Sequence, residues 1–281
     1  MSEVAITSER VSVAGAASTA EDYFIFLEHL ATYSFAQPHT VGKDVLDFGC
    51  GTGYGTHSLA QKVRSIVGVD ISADAIKAAR EDFLDDETRP RLVYKMIDPV
   101  EHAPLPFEDN SFDTVLSFQV IEHVHDVDAY LREVRRVLRP NGVFVCATPD
   151  RRTRLYRGQR PFNRYHLREW APEEFAALIE GVFPETKVFG MTGSPQALSS
   201  ELKRCRTTRA LTYPFTFPGA PERWRQAGLR GLKSLQQRRS SGRKQTASDP
   251  VDPAVRFGIG EKDVWIGPDV WPSINVITVS S

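Results

Sequence analysis

The sequence predicts an α/β protein built on one open, mostly parallel sheet. From Val41 onward, short apolar runs alternate with amphipathic helical patterns, as in βαβ units. A glycine-rich turn follows the first apolar run. An aspartate lies at or beside the end of each of the first three apolar runs. The 281 residues, 41% hydrophobic and 25% charged, suffice for one such domain with an extension.

The first half of the chain contains five predicted strands, at 44–48, 65–70, 91–97, 114–118 and 143–148. Ser72 is predicted to cap a helix whose apolar face includes Ile76 and Ala79. A second helix, at 126–139, has a continuous apolar stripe, and Pro140, Asn141 and Gly142 are expected to end it.

The flanking segments complete the predicted organisation. Helices are expected at 23–36 and 172–181, and strands at 186–191 and 274–279. We expect a loose arm over 1–20 and a core over 21–194. A basic insertion over 195–260 and a terminal segment, 261–281, that completes the sheet would follow. Within the insertion, 240–250 is rich in serine and charge and is expected to be flexible.

The overall charge and the cysteines restrict the expected partners and the expected cellular compartment. A net charge of −1 does not indicate general affinity for nucleic acids. Cys50, Cys146 and Cys205 have neither metal-ligand spacing nor a disulfide pattern, which favours a reducing compartment. Without an apolar run of membrane-spanning length or a leader pattern, a cytoplasmic protein is expected.

The run 45–55 joins a strand end to a glycine-rich turn and a helix start. Glycines there let a ligand approach the backbone and the N–H groups of the helix. The glycines occupy every second position, unlike the G-x-G-x-x-G spacing that suits a pyrophosphate. Asp47 would also repel a phosphate, so its charge favours a cationic ligand such as the ammonium and sulfonium of S-adenosylmethionine.

Two further aspartates follow the next strands. Asp70 ends the second strand, about 20 residues beyond the first glycine, where a carboxylate can hold a ribose diol. Asp98 follows the third strand and could accept a hydrogen bond from an adenine amino group. One aspartate at a strand end is often only a cap or turn residue. Three of them beside a glycine loop favour a ligand site.

Residues 23 to about 195 resemble class I methyltransferases of the type 11 group, particularly bacterial members associated with glycan and natural-product biosynthesis. The resemblance is carried by VLDFGCGTGYG, SIVGVDISADAIKAAR, LPFEDNSFDTVLSFQVIEHV, YLREVRRVLRPNGVFVCATPD and FNRYHLREWAPEEF. It implies a Rossmann-like sheet of about seven strands with an antiparallel last strand. It also implies that S-adenosylmethionine is the cofactor and S-adenosylhomocysteine the product.

The resemblance also assigns cofactor residues. Gly49, Gly51 and Gly53 would line the methionine part, and Asp47 would lie near its ammonium group. Asp70 would bind the ribose, Ile71 would lie against the adenine, and Phe118 would reach the cofactor after the fourth strand.

Two positions depart from the family pattern. Thr32 stands where the family often has an arginine for the cofactor carboxylate. Near Asp98, Pro99 lacks the N–H that often meets the adenine, and Glu101 competes with Asp98 by spacing.

For the chemistry, the sequence offers histidines as candidate catalytic residues. His123 follows the fourth strand, and His166 lies in the loop that closes over the acceptor pocket in this family. For each, a packing or exposed role is the alternative. In related quinone-directed O-methyltransferases, a glutamate in the position of Gln119 joins the Glu122–His123 pair in holding a metal. Because Gln119 is neutral, no metal is expected.

The acceptor is the least defined part of the prediction. We expect O-methylation of a sugar-containing molecule or secondary metabolite, with N-methylation as the alternative. The basic insertion is either a solvated flap or attracts an anionic acceptor, such as a nucleotide-sugar or lipid-linked sugar, or a membrane surface. A nicotinamide-dependent oxidoreductase is disfavoured by the glycine spacing, and a non-enzymatic scaffold by the intact glycine loop.

Overall fold

The computed structural model describes residues 19–84, 90–240 and 252–281. The helices in these ranges are α1 Ala20–Ala36, α2 Tyr54–Leu59, α3 Ala73–Phe83, α4 Val127–Val137, α5 Arg151–Arg154, α6 Pro172–Glu180, α7 Pro195–Thr216, α8 Glu222–Ser240 and α9 Pro253–Phe257. The strands are β1 Asp44–Phe48, β2 Ser65–Asp70, β3 Leu92–Met96, β4 Phe112–Phe118, β5 Leu138–Pro149, β6 Thr186–Gly193, β7 Val264–Gly267 and β8 Asn275–Ser280.

All eight strands join one sheet, in the order β3-β2-β1-β4-β5-β8-β6-β7. The five strands from β3 to β5 are parallel, whereas β8 runs antiparallel to both of its neighbours, β5 and β6. The predicted α/β class and the antiparallel last strand are therefore confirmed.

The strand number differs from the prediction of about seven, because β7 is added at the edge of the sheet. This strand has four residues, pairs only with β6 among the described strands, and is largely half-buried or exposed. A strand this short and this exposed lacks the apolar alternation by which strands are recognised.

Apolar cores lie on both faces of the sheet. Neighbouring residues of β1 illustrate the division, because Val45 joins one core and Leu46 the other, as the alternation of a strand requires. The first core packs α1, α2, α3 and α7, and the second packs α4 and α6. Helices thus cover both faces, as predicted.

The helix α4 shows how directly the sequence specifies an element. Asp126 caps it by accepting a hydrogen bond from the Ala129 N–H at 2.8 Å, and the predicted stripe from Val127 to Val137 is buried. The helix ends two residues before the predicted end. Leu138 already pairs with Phe112 in the sheet, and Pro140–Gly142 lie in the irregular start of β5.

The basic segment after β6 consists mainly of two helices. Ala197 and Leu198 of α7 join the core that contains α1, whereas Leu229 of α8 packs with Leu155 and Phe162. The predicted arm and the predicted flexible segment lie almost wholly outside the described residues. Within the described ranges, no helix is both long and apolar enough to cross a bilayer.

Candidate active site

A cavity of about 490 Å³ lies at the carboxyl ends of β1, β2 and β4, where open α/β sheets bind their ligands. Its volume is in the range of small-molecule sites. Most of the predicted site residues line it: Gly49, Gly51, Asp70, Ile71, Asp98, Phe118 and His123. Asp47, Gly53 and His166 are not among the lining residues.

Two glycines of the loop after β1 have different reasons for lacking a side chain. Gly51 has a φ of +54°, and a Cβ atom added there would meet no atom of the described residues within 4 Å. Its backbone is therefore open to the cavity. At Gly53, with a φ of +85°, a Cβ atom would collide with Ala79 and Tyr94. The Tyr94 hydroxyl donates to the Gly53 carbonyl at 2.8 Å, so Gly53 serves the packing behind the loop.

Asp70 and Ile71 form the corner of the cavity after β2. The Asp70 carboxylate accepts from the Gly51 N–H at 3.1 Å and from the Ser72 N–H at 2.8 Å, which fixes its orientation. Ile71 is 51% exposed although it is large and apolar. Because it also lines the cavity, its side chain can cover a flat apolar ligand surface.

Asp98 and Glu101 both line the next part of the wall. Glu101 accepts a hydrogen bond from the His125 N–H at 2.9 Å, which links the segment after β3 to the segment after β4. Asp98 is exposed and has no hydrogen-bond partner in the described part of the chain.

Asp47 lies beneath the glycine loop and is 1% exposed. Its Oδ2 accepts from the Tyr33 hydroxyl at 2.8 Å and the Thr56 hydroxyl at 2.6 Å. Burial raises the pKa of Asp47 to about 6, against the effect of both hydrogen bonds. Tyr33 in turn packs edge-on against Phe118, with ring centroids 5.0 Å apart. Asp47 therefore holds Tyr33, a residue of the cavity wall, from the side away from the cavity.

The wall contains a histidine that the sequence analysis missed. His29 lies one helical turn before Tyr33 on α1, lines the cavity, and shares a hydrogen bond with the Tyr54 hydroxyl. Thr32, the position where an arginine was expected, is buried, and its hydroxyl donates to the Glu28 carbonyl. The helical spacing from Tyr33 was the signal that could have identified His29.

The two candidate histidines are neighbours with different exposure. His123 is half-buried and lines the cavity, whereas His166 is 1% exposed and lies behind it. Their rings meet edge-to-face, with centroids 4.7 Å apart. The Nδ1 of His123 lies 3.2 Å from the Tyr165 carbonyl oxygen. The Nδ1 of His166 lies 2.7 Å from Oε1 of Glu169.

Glu169 is a second residue that the sequence analysis did not single out. It is buried and also accepts from Nε of Arg154 at 3.1 Å. Burial alone would raise the pKa of Glu169, but the charge of Arg154 and the contact with His166 lower it. Glu169 is therefore an ionised carboxylate at neutral pH.

Glu122 completes this group behind the cavity. Its buried carboxylate accepts from the Thr148 hydroxyl at 3.1 Å. Glu122, His123 and His166 each offer one possible metal-ligand atom, and these atoms lie within 4.8 Å of one another. Gln119, on which the sequence-based expectation of no metal depended, instead donates to Asn275 at 3.1 Å.

The loop that presents Tyr165 and His166 is held by the basic segment. Arg225 of α8 is 2% exposed and donates to the carbonyls of Pro161, Asn163 and His166. Its charge is paired with Glu222 at 3.3 Å. At least part of the basic character of this segment therefore serves the internal structure.

Comparisons with known proteins identify the domain. Residues 46–146 match the family model for a methyltransferase domain. A probable S-adenosylmethionine-dependent methyltransferase of Mycolicibacterium smegmatis is 35% identical over 164 residues, 57% of this chain and 59% of that protein. A 2-methyl-6-phytyl-1,4-hydroquinone methyltransferase of a Synechocystis species is 29% identical over 229 residues, 75% of this chain and 66% of that protein. The chain spans about three fifths of the length of the mycobacterial relative.

The same fold also occurs in an enzyme that is named for a reaction other than methyl transfer. The crystal structure of the [4+2]-cyclase SpnF superposes with a TM-score of 0.53 at 15% identity, covering 89% of this chain and 80% of that one. This likeness shows the fold alone. Together with the family match and the related sequences, it places the glycine loop and the cavity in a known type of domain. Residues 46–146 thus match a methyltransferase domain, and the chain is similar to S-adenosylmethionine-dependent methyltransferases over more than half of its length.

Proposed function

We propose that the protein transfers a methyl group from S-adenosylmethionine to a hydroxyl group of a small secondary metabolite. The observation that carries this proposal is the single cavity that joins the glycine loop and the Asp70–Ile71 corner to His123. Such a cavity can hold a cofactor and an acceptor side by side, and methyl transfer mainly requires that alignment.

The wall fits the chemical groups of the cofactor. The open backbone at Gly51 suits the methionine part, and the fixed carboxylate of Asp70 suits the two ribose hydroxyls. Ile71 supplies an apolar surface for the adenine. Asp98 is better placed than Glu101 to accept from the adenine amino group, because the His125 N–H already donates to Glu101. When bound, the cofactor supplies a methyl carbon activated by its sulfonium.

A carboxylate on one side and a histidine–tyrosine pair on the other would orient the amino-acid part of the cofactor. Asp47 acts on the ammonium through its field, because it lies beneath the loop and outside the lining. We assign the carboxylate contact to His29 with Tyr54, since Thr32 has no charge and is turned into its own helix.

The acceptor would lie at the His123 end, beside Tyr165 and His125. Here His123 would touch the acceptor, and His166 would act from behind it. Among the described lining residues there is no lysine or arginine, and much of the lining is apolar. This favours a neutral molecule with an apolar body over a nucleotide-sugar or other anionic acceptor.

The remaining proposals concern the setting. A cytoplasmic location is supported by the three cysteines, all buried free thiols. Contact with an anionic membrane would use exposed residues of the basic segment, namely Arg206, Arg223, Trp224 and Arg230.

The test is to incubate the protein with methyl-labelled S-adenosylmethionine and a fractionated cell extract. We expect label in the metabolite fraction, in a product whose methyl group is bound to oxygen. A methyl group on nitrogen would favour the alternative N-methyltransferase. Label in protein or nucleic acid would overturn the acceptor class. No transfer by a sample shown to bind S-adenosylhomocysteine would favour a scaffold.

A further inference from the structure

The group formed by Glu122, His123 and His166 is supplied by two separate parts of the chain. Glu122 and His123 belong to the short 3-10 helix after β4, whereas His166 belongs to the loop that α8 holds in place. Their candidate ligand atoms lie within 4.8 Å of one another. Ligands around a tetrahedral Zn²⁺ lie roughly 3.4 Å apart, given bond lengths of about 2.0–2.2 Å. A small movement of the half-buried His123 would close this difference.

The hydrogen bonds determine which ring nitrogens point into this group. The Tyr165 carbonyl can only accept, so the Nδ1 of His123 is the donor in that contact. The Nδ1 of His166 is likewise engaged, because it lies 2.7 Å from Oε1 of Glu169. The Nε2 atom of each ring is therefore the remaining ring nitrogen and the candidate ligand atom. Two imidazole nitrogens and a carboxylate oxygen within 4.8 Å of one another are a donor set that suits a divalent transition-metal ion.

The residues around this group supply negative charge, and they also supply the hydrogen bonds that hold histidine ligands in place. Two buried carboxylates, Glu122 and Glu169, are present, and Arg154 bonds to the second of them. Arg225, which reaches the His166 carbonyl, is paired with Glu222. A carboxylate and a peptide carbonyl on the far side of two histidines are the typical supports of histidine ligands.

We propose that Glu122, His123 and His166 bind a divalent transition-metal ion, with Zn²⁺ as the best-suited candidate. Two histidines and one carboxylate are the ligands of catalytic zinc sites, which keep a further position for substrate. The expectation of no metal rested on Gln119, but His166 supplies the third ligand from a distant part of the sequence.

The role of the ion rests on the proposed methyl transfer. His123 lines the cavity, so the open coordination position would face the acceptor. A hydroxyl bound there would release its proton to solvent water more readily, because coordination lowers its pKa. The oxygen lone pair then forms the new bond to the methyl carbon, and the sulfonium sulfur leaves with the electrons of the broken bond. His123 is thus a ligand in this account, not a base.

The experiment measures metal binding without cofactor or acceptor. Untagged full-length protein is stripped with a chelator and titrated with Zn²⁺ by calorimetry, and with Co²⁺ by visible absorption. We expect one equivalent of Zn²⁺ with a Kd below about 1 μM and a Co²⁺ spectrum typical of four or five ligands. His123→Ala should weaken binding at least about 100-fold, and Glu169→Gln about 10- to 100-fold.

The controls separate this proposal from folding and from the methyltransferase proposal. His102→Ala, at an exposed histidine outside the group, should bind Zn²⁺ like the wild type. Each variant is checked for wild-type thermal unfolding and for binding of S-adenosylhomocysteine, which should not change. A wild-type protein that binds the cofactor product but takes up no Zn²⁺ at pH 7.5 would overturn the metal site alone. Equal Zn²⁺ affinity in His123→Ala would also overturn it.

Discussion

Asp47 is buried beneath the glycine loop and does not line the cavity. The sequence correctly identified a carboxylate at the end of β1, but its contacts with Tyr33 and Thr56 depend on where α1 and α2 pack. The same holds for Glu169, which contacts Arg154 of α5, and for His29, which contacts Tyr54 of α2. Motif residues were therefore predictable, and the residues that orient them were not.

The pKa of Asp47 leads to a prediction about pH. Because this pKa is raised to about 6, the carboxylate becomes neutral as the pH falls through that value. Its attraction for the cofactor ammonium is then lost, so the affinity for S-adenosylhomocysteine should fall about tenfold between pH 7 and pH 5. Calorimetry at both values checks this. In Asp47→Asn the affinity should be lower at pH 7, with the pH dependence reduced; an unchanged dependence would contradict the role of Asp47.

The assignment of His29 to the cofactor carboxylate predicts a selective loss. His29→Leu should bind S-adenosylhomocysteine about tenfold more weakly, since a hydrogen bond to a charged group contributes about 1.5 kcal/mol or more. Adenosine lacks the amino-acid part and serves as the matched ligand, with unchanged affinity expected. An equal loss for both ligands would show a general disturbance of the wall instead.

At the scale of elements, periodic apolar patterns predicted the positions of helices and strands well. The pattern of charges did not predict which charged side chains are buried. The period of α4 and the alternation of apolar runs identified most helices and strands within a few residues. The helix α8 was interpreted through its positive charge, although Arg225 is one of the largest fully buried side chains of the described part. A sequence does not distinguish an arginine that binds three carbonyls from one that faces water.

The anchoring role of Arg225 predicts an effect on stability and activity together. Arg225→Ala removes the donor from the carbonyls of Pro161, Asn163 and His166. We expect the free energy of unfolding to fall by about 2–3 kcal/mol, with a slower methyl transfer because His166 is less well held. Urea denaturation and turnover measure the two effects.

The control is Arg223→Ala on the same helix. Arg223 is exposed, so its removal should change stability by no more than about 0.5 kcal/mol. If both variants behaved alike, the loop would not depend on α8.

At the scale of the whole molecule, the fold class followed from the order of the elements. The edge strand β7 and the cavity could not be derived from that order, because both depend on contacts between segments that are distant in the sequence. The reaction class is supported by related sequences, whereas the acceptor is supported only by the apolar lining and the missing basic groups in the described wall. The cofactor half of the cavity is therefore the part on which the account depends most.

The measurement that tests this half most directly is a calorimetric titration of S-adenosylhomocysteine into the wild type and into Asp70→Ala. The account predicts one site with micromolar or tighter affinity in the wild type, because Asp70 is held in position for the ribose hydroxyls. In Asp70→Ala the affinity should fall at least about 100-fold, and neither protein should bind NAD⁺. Near-native affinity in Asp70→Ala, or no binding by the wild type, would contradict the central claim.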